Sequence, residues 1–308
     1  MLKYFPKILM RYGSRIDMES IPEFRNIEEM PVEELTQLMR RFEINSVYFA
    51  IDGTRRFAMD KLQGDFNFIS YHDLMKREFI RSISTLIHHG FTHIVVLLHD
   101  STSFARGREY LENSIKLGVS PLWSDPDYQE FYDRENIQVR FSGFNNLYVE
   151  GGYPEVMDQM RILEEKTSKH SSVILSFYSC FLPAQDVVRM TQLASAHSLA
   201  TLEDQIQFLY GSNFPQLDLS LYFGKPRSKV SPLLIDNQSL HLYMKLPSFY
   251  LDSNMLRRAI WYTILNRTSM RDEYKDYKDL KQVFLQGSET EYFWGEGSYL
   301  SDIFVESS

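Results

Sequence analysis

The sequence holds one cysteine, Cys180, so no disulfide can form within the chain. Structural zinc sites, which draw on several soft ligands, are not expected either. No unbroken apolar run reaches the ~20 residues of a membrane-spanning helix. The basic start, Met1 to Met10, lacks the apolar stretch of a secretory signal. These absences make a reducing cytoplasm the expected location. Positive charge is also scarce: 33 Lys and Arg stand against 41 Asp and Glu, a net charge of −8. General nucleic-acid binding needs a dense basic surface, so no nucleic-acid partner is expected. A polyanionic ligand would have to be held by a local basic cluster. No Pro-, Gly- or Ser-rich linker, internal repeat or low-complexity run divides the 308 residues. One large domain is the simplest organisation.

Aromatic residues are plentiful: 22 Phe, 19 Tyr and 3 Trp make up 14% of the chain. A large core edged by amphipathic tyrosines accounts for them. So does a pocket for a long apolar ligand that carries positive charge during reaction, because ring faces attract a nearby cation.

Short β-branched and aromatic runs alternate with longer helical patterns. Strands are expected at Ser46–Ile51, Thr92–Leu98, Ile137–Phe141, Ser172–Tyr178, Asp218–Phe223 and Leu240–Leu246. Helices are expected at Tyr71–His89 (stopped by Gly90), Arg108–Lys116, Asp127–Arg134, Glu155–Lys169, Gln185–His197 and Ser253–Asn266. Such alternation predicts an α/β fold with a central, mostly parallel sheet flanked by helices. Residues 1–43 read as helical decoration outside the sheet, and 44–308 as the catalytic domain.

The segment Asp52-Gly53-Thr54-Arg55-Arg56 follows the first strand at once. Ligands of open α/β sheets bind at the carboxyl ends of strands. The residue types suit a diphosphate. Gly53 permits close backbone approach, Thr54 offers a hydroxyl, and Arg55 and Arg56 supply planar donor forks that match phosphate oxygens. Asp52 can hold Mg²⁺ against the phosphates or act as a base on an incoming nucleophile. An Asp-Gly turn followed by two solvated arginines is the bland alternative.

A strand ending in Asp-Gly-x-x-Arg-aromatic, as in Asp52–Phe57, resembles the signature of the cis-prenyltransferase (undecaprenyl diphosphate synthase-like) superfamily. The form Asp-Gly-Thr-Arg-Arg-aromatic is similar to its divergent tuberculosinol synthase branch, which removes diphosphate from a bicyclic diterpenyl substrate. Further similar stretches follow in order: Arg106-Gly107-Arg108-Glu109-Tyr110, Tyr222-Phe223-Gly224, Ser231-Pro232-Leu233-Leu234, Leu246-Pro247-Ser248-Phe249-Tyr250 and Leu256-Arg257-Arg258. The resemblance implies that fold, a homodimer, Mg²⁺ at Asp52, an isoprenoid diphosphate substrate, and diphosphate contacts from Gly53, Thr54, Arg55 and Arg56. It also implies a catalytic tyrosine, which falls on Tyr71, with Leu74 at the other possible alignment.

There are departures. Chain-elongating members bind a second diphosphate through an Arg-x-x-x-Glu-x-Arg-x-Ser segment; here Tyr222 stands for the first arginine, in Tyr222-Phe223-Gly224-Lys225-Pro226-Arg227-Ser228. A glutamate that helps hold Mg²⁺ in those enzymes is His241 here. Chain elongation is therefore disfavoured. The expected activity is ionisation of an allylic diphosphate, the cation passing to water or another nucleophile. A condensing or cyclising prenyltransferase using Lys225 and Arg227 is the alternative, and a non-catalytic isoprenoid-binding subunit a third reading. Among other residues, His99-Asp100 ends the second strand and could line the crevice. Arg106 could reach the diphosphate. Arg108, Arg257 and Arg258 read as surface or interface, and His88-His89 as complements to a helix C-terminus.

Overall fold

The computed structural model describes residues 24–63, 67–181, 183–211, 214–224, 230–236, 238–269, 297–300 and 303–306. In chain order the elements are α1 (Phe24–Glu29), α2 (Val32–Arg41), β1 (Ser46–Phe49), α3 (Thr54–Leu62), α4 (Phe68–His88), β2 (His93–Asp100), α5 (Ser101–Phe104) and α6 (Arg108–Ser114). A π-helical turn at Ile115–Val119 leads to α7 (Pro121–Ser124), α8 (Pro126–Arg134), β3 (Ile137–Gly143), α9 (Asn146–Glu150), α10 (Pro154–Thr167), β4 (Val173–Cys180), α11 (Pro183–His197) and α12 (Leu202–Tyr210). Then come β5 (Leu219–Phe223), β6 (Leu240–Met244), α13 (Ser253–Ser269) and a hairpin of β7 (Gly297–Leu300) and β8 (Ile303–Glu306).

The six strand segments expected from the sequence form one sheet of order β3-β4-β2-β1-β5-β6. Every pairing in it is parallel. Strand ends differ from expectation by one or two residues. Both faces are covered, as a parallel sheet requires. Val47, Phe49, Ile94, Val96, Leu175, Phe177, Leu219 and Leu221 join the main core. Tyr48, Val95, Tyr178 and Tyr222, one residue out of phase, join a second core on the opposite face.

Two polar devices fix the frame. Asp218, just before β5, accepts from the Asn45 and Ser46 amides (2.7 and 2.8 Å) and from Ser46 Oγ (2.9 Å), and pairs with buried Arg267 of α13. This pins the start of β1 to the start of β5; removing either partner would strand a buried charge, at about 3–5 kcal/mol. Arg257 of α13 is also buried, with Nη1 donating to the carbonyls of Ile27 (2.6 Å) and Met30 (2.7 Å). It satisfies carbonyls at the end of α1 that have no intrahelical donor. Arg258 beside it lies 3.3 Å from Glu28. The surface or interface role expected for Arg257 gives way to this one, because a helix with apolar residues nearly all round leaves its arginines to the neighbouring helix end. Helices α1 and α2 lie outside the sheet, yet Ile27, Leu35, Leu38 and Met39 are part of the main core.

After β1 the chain runs over the main-core face, where Phe57, Leu74, Phe79 and Ile83 are buried. After β5 it reaches the other face, where Val230 and Leu234 lie in the second core. Adjacent strands that send the chain to opposite faces leave a crevice at their carboxyl ends. Asp52 and Gly224 sit on its two sides.

Candidate active site at the β1–β5 crevice

Pairing of β1 with β5 continues one residue past the strand, Ala50 N donating to Leu221 O at 2.9 Å. The chain then turns sharply. Gly53 takes φ +73°, a left-handed conformation that strains residues with a Cβ, and becomes the N-cap of α3. No side chain caps this helix. The first-turn amides of Thr54, Arg55 and Arg56 precede the first intrahelical donor, Phe57 N, and so have no intrahelical acceptor.

The turn is held from outside. The Asp52 carbonyl accepts from Ser248 N at 3.0 Å, and a Cβ on Gly53 would lie 3.0 Å from Pro247 Cα. The exposed Asp52 carboxylate accepts from Gly53 N at 2.6 Å. A Cβ on Gly224, φ +79°, would lie 2.8 Å from Arg56 Nη2 and 3.5 Å from Asp52 Oδ2; one on Gly53 would lie 3.0 Å from the same Arg56 nitrogen. The Arg56 fork is thus wedged between two glycines, beside the carboxylate. Among the described residues neither Arg55 nor Arg56 is salt-bridged to a carboxylate. Gly224, Pro247 and Ser248 complete the site from far along the chain.

Tyr71 lies in the first turn of α4, its OH 2.8 Å from Thr54 Oγ1. Burial raises its pKa, while the Thr54 hydrogen bond and the nearby Arg55 charge oppose the shift. It is therefore a neutral phenol at ordinary pH. Tyr110, whose ring carries the Arg106 guanidinium 4.9 Å from its centroid, is near enough to Tyr71 to influence it. Leu74, the alternative position, is buried in the main core. The structure brings Asp52, Gly53, Thr54, Arg55, Arg56 and Tyr71 into one cluster.

The other candidates are employed elsewhere. His99 Nδ1 is 2.9 Å from Tyr148 OH and its Nε2 2.8 Å from Ser114 Oγ, and burial pulls its pKa down to about 4. Asp100 caps α5, accepting from Ser103 N at 3.0 Å. Arg108 points to solvent and donates to Glu112. Lys225, Arg227 and Ser228 lie outside the described residues. A shallow groove of about 910 Å³ between α5 and α11, lined in part by Thr102, Phe181 and Gln185, contains none of the motif residues.

No protein-family model matches the chain. Over 238 residues it is 22% identical to tuberculosinyl adenosine transferase of Mycobacterium tuberculosis (strain CDC 1551 / Oshkosh), covering 76% of this chain and 79% of that one. Its structure is similar to that of lavandulyl diphosphate synthase from Lavandula x intermedia, solved in complex with dimethylallyl diphosphate. The TM-score is 0.60 at 15% identity, covering 73% of this chain and 96% of that one. A probable undecaprenyl diphosphate synthase from Campylobacter jejuni gives a TM-score of 0.51 at 14% identity, covering 71% and 93%. The fold is that of the cis-prenyltransferases.

On the cis-prenyltransferase fold, Asp52 is the only motif carboxylate, and no group of three or more His, Cys, Asp or Glu among the described residues could hold a metal. One exposed carboxylate suits Mg²⁺, an ion bound through one or two carboxylates together with substrate phosphates and water. His241 offers it nothing comparable. It stacks on Tyr222 with ring centroids 5.9 Å apart, lies 3.4 Å from that hydroxyl, and has its pKa lowered by burial.

Proposed function

We propose that this chain is a prenyl diphosphate-processing enzyme that ionises an allylic substrate at the β1–β5 crevice. The observation that carries the reading is the Arg56 fork, wedged between Gly53 and Gly224 beside Asp52 with no salt-bridge partner among the described residues. Arg55 and Arg56, with no salt-bridge partner among the described residues, and a set of first-turn amides belong to one short segment in a protein of net charge −8, where a compact polyanion is the ligand they fit.

The allylic carbon–oxygen bond breaks heterolytically, and the electron pair leaves with the diphosphate. Arg55, Arg56 and the α3 amides gain most as that charge develops, so their effect falls on the transition state. Asp52 would hold Mg²⁺, which supplies further charge neutralisation on the leaving group. Tyr71, whose hydroxyl lies 2.8 Å from Thr54 Oγ1, would stabilise the cation through its ring. Because burial raises its pKa, Tyr71 stays a protonated phenol and offers no phenolate to act as a base. As the alternative to holding Mg²⁺, Asp52 would accept the proton released when water or another nucleophile adds. The transferase relative has an adenosine acceptor in its name; a nucleoside nitrogen is one such nucleophile.

The test is incubation with dimethylallyl, geranyl, farnesyl and geranylgeranyl diphosphates and Mg²⁺, with and without adenosine. Pyrophosphate and organic products are both measured. Release of pyrophosphate with an alcohol or conjugate supports the reading. Pyrophosphate release with a longer diphosphate product assigns condensation, and no release from any substrate refutes ionisation. We further propose a cytoplasmic homodimer; a light-scattering mass near 36.4 kDa at micromolar concentration would refute the dimer.

A further inference from the structure

The Asp52–Gly53 turn has no support from its own strand beyond Ala50; its carbonyl is held by Ser248 N, at 3.0 Å. Ser248 belongs to the short 3₁₀ turn Ser248–Tyr250, which packs on α3 through Phe57: Phe249 lies 5.8 Å and Tyr250 4.9 Å from that ring. Tyr250 OH donates to Asp60 of α3, and on the other side the turn is tied to α4 by one side chain. Arg81 Nη2 donates to Phe249 O at 2.6 Å and Nη1 to Leu251 O at 3.0 Å, while Nε is held by Glu78 at 2.6 Å. A planar fork spanning two carbonyls fixes both the distance and the tilt of the turn, which a point charge does not. The same rigid helix carries Tyr71, ten residues earlier and about 15 Å away along the axis.

We infer that Arg81 is a positioning residue for the diphosphate site: through the 247–251 turn it sets the placement of the Asp52–Gly53 peptide, and with it the α3 amides and the Arg56 fork. The inference rests on the Asp52–Arg56 segment being that site. Arg81 touches neither ligand nor reacting atoms. Its effect arises because binding sites tolerate misplacement of only about 0.5 Å. The bond chain is short: guanidinium to Phe249 carbonyl, Ser248 amide to Asp52 carbonyl.

The experiment measures inorganic pyrophosphate binding with Mg²⁺ by calorimetry, hydrogen exchange at the Gly53 and Ser248 amides, and urea midpoints. Wild type, Arg81→Ala, Arg81→Lys, Glu78→Gln and Arg56→Ala are compared. Arg161→Ala, which breaks an exposed pair on α10, is the control. Arg81→Ala should weaken pyrophosphate on the order of 10-fold or more and speed exchange at Ser248, with other core amides unchanged. Arg81→Lys, which can reach one carbonyl at a time, should recover part of the affinity, and Glu78→Gln should show a smaller loss of the same sign. Wild-type affinity in Arg81→Ala, with Arg56→Ala impaired, overturns the inference and leaves the site reading standing. Wild-type affinity in Arg56→Ala overturns the site reading itself. If the affinity lost in Arg81→Ala returns when trimethylamine oxide restores its urea midpoint, Arg81 is a general stabiliser and the inference fails. Should Arg81→Ala not fold, the Lys and Gln variants decide it by the same criteria.

Discussion

Gly224→Ala separates backbone strain from displacement of the Arg56 fork. Gly224 has φ +79°, and an added Cβ would stand 2.8 Å from Arg56 Nη2, where ordinary contact begins at 3.4 Å. The left-handed conformation costs an alanine roughly 1–2 kcal/mol. The contact itself is cheap to relieve, since the far end of a flexible side chain can move. It moves, however, by about 0.6 Å, beyond the ~0.5 Å within which a functional group stays productive. Stability should therefore fall by about 1–2 kcal/mol, while kcat falls on the order of 10–10²-fold. Gly152→Ala is the matched comparison: φ +87° with nothing within 4 Å, so it carries the strain without touching a neighbour. Urea denaturation and continuous pyrophosphate release, run on both variants, distinguish the two effects. If both lose stability alike and Gly224→Ala keeps wild-type kcat, the Arg56 fork is not at the reacting centre.

Arg55→Ala and Arg56→Ala should each lower kcat on the order of 10²-fold or more, the scale of one preorganised electrostatic donor; wild-type turnover in both would remove the diphosphate assignment. Asp52→Asn should be nearly inactive and should lose the Mg²⁺ dependence of pyrophosphate binding, read by calorimetry with and without the ion. Tyr71→Phe, which gives up the 2.8 Å contact with Thr54 but keeps the ring, should slow turnover less than any of these and shift product ratios in chromatography. His99 has its pKa depressed from 6.5 to about 4 by burial. The unfolded chain takes up its proton first as pH falls. The stabilising contribution is therefore complete above 6.5 and lost by about pH 4, on the order of 3 kcal/mol. His99→Gln should flatten the urea midpoint between pH 7.5 and 5, and an unchanged slope would count against this account.

The sheet was legible because its strands are short β-branched and aromatic runs, such as Ser46–Phe49 and His93–Asp100, that need only local pattern to recognise. The motif was legible for a similar reason, since Asp52 to Arg56 are contiguous. The helix that begins at Thr54 was not read: Thr54–Leu62 has no side-chain cap and little apolar stripe. The helix at Leu202–Tyr210 was also missed, although Thr201 and Asp204 form a capping box that marks its start. The far side of the site was hidden for a different reason. Gly224 and Ser248 owe their places to strand order, and nothing local in Phe223-Gly224 or Pro247-Ser248 announces that Asp52 lies opposite. Arg257 misled because an arginine on a helix with apolar faces reads as solvent-facing, and its carbonyl partners, Ile27 and Met30, are more than two hundred residues away.

The position of β5 beside β1 has a consequence for synthesis. Ser46 and Asp218, which meet at the start of these strands, are 172 residues apart in the chain. At about 5–20 residues per second, a ribosome needs roughly 10–35 s to deliver the second after the first. Once β2 is made, and until β5 follows, β1, built of four residues that end fully buried, can pair with β2 on one side but has a bare edge on the other. Such an edge is a template for unwanted pairing with other chains. The nascent protein thus carries a buried-type strand with one bare edge at the centre of its future sheet, and slowing elongation between codons 100 and 218 should lower the yield of folded product.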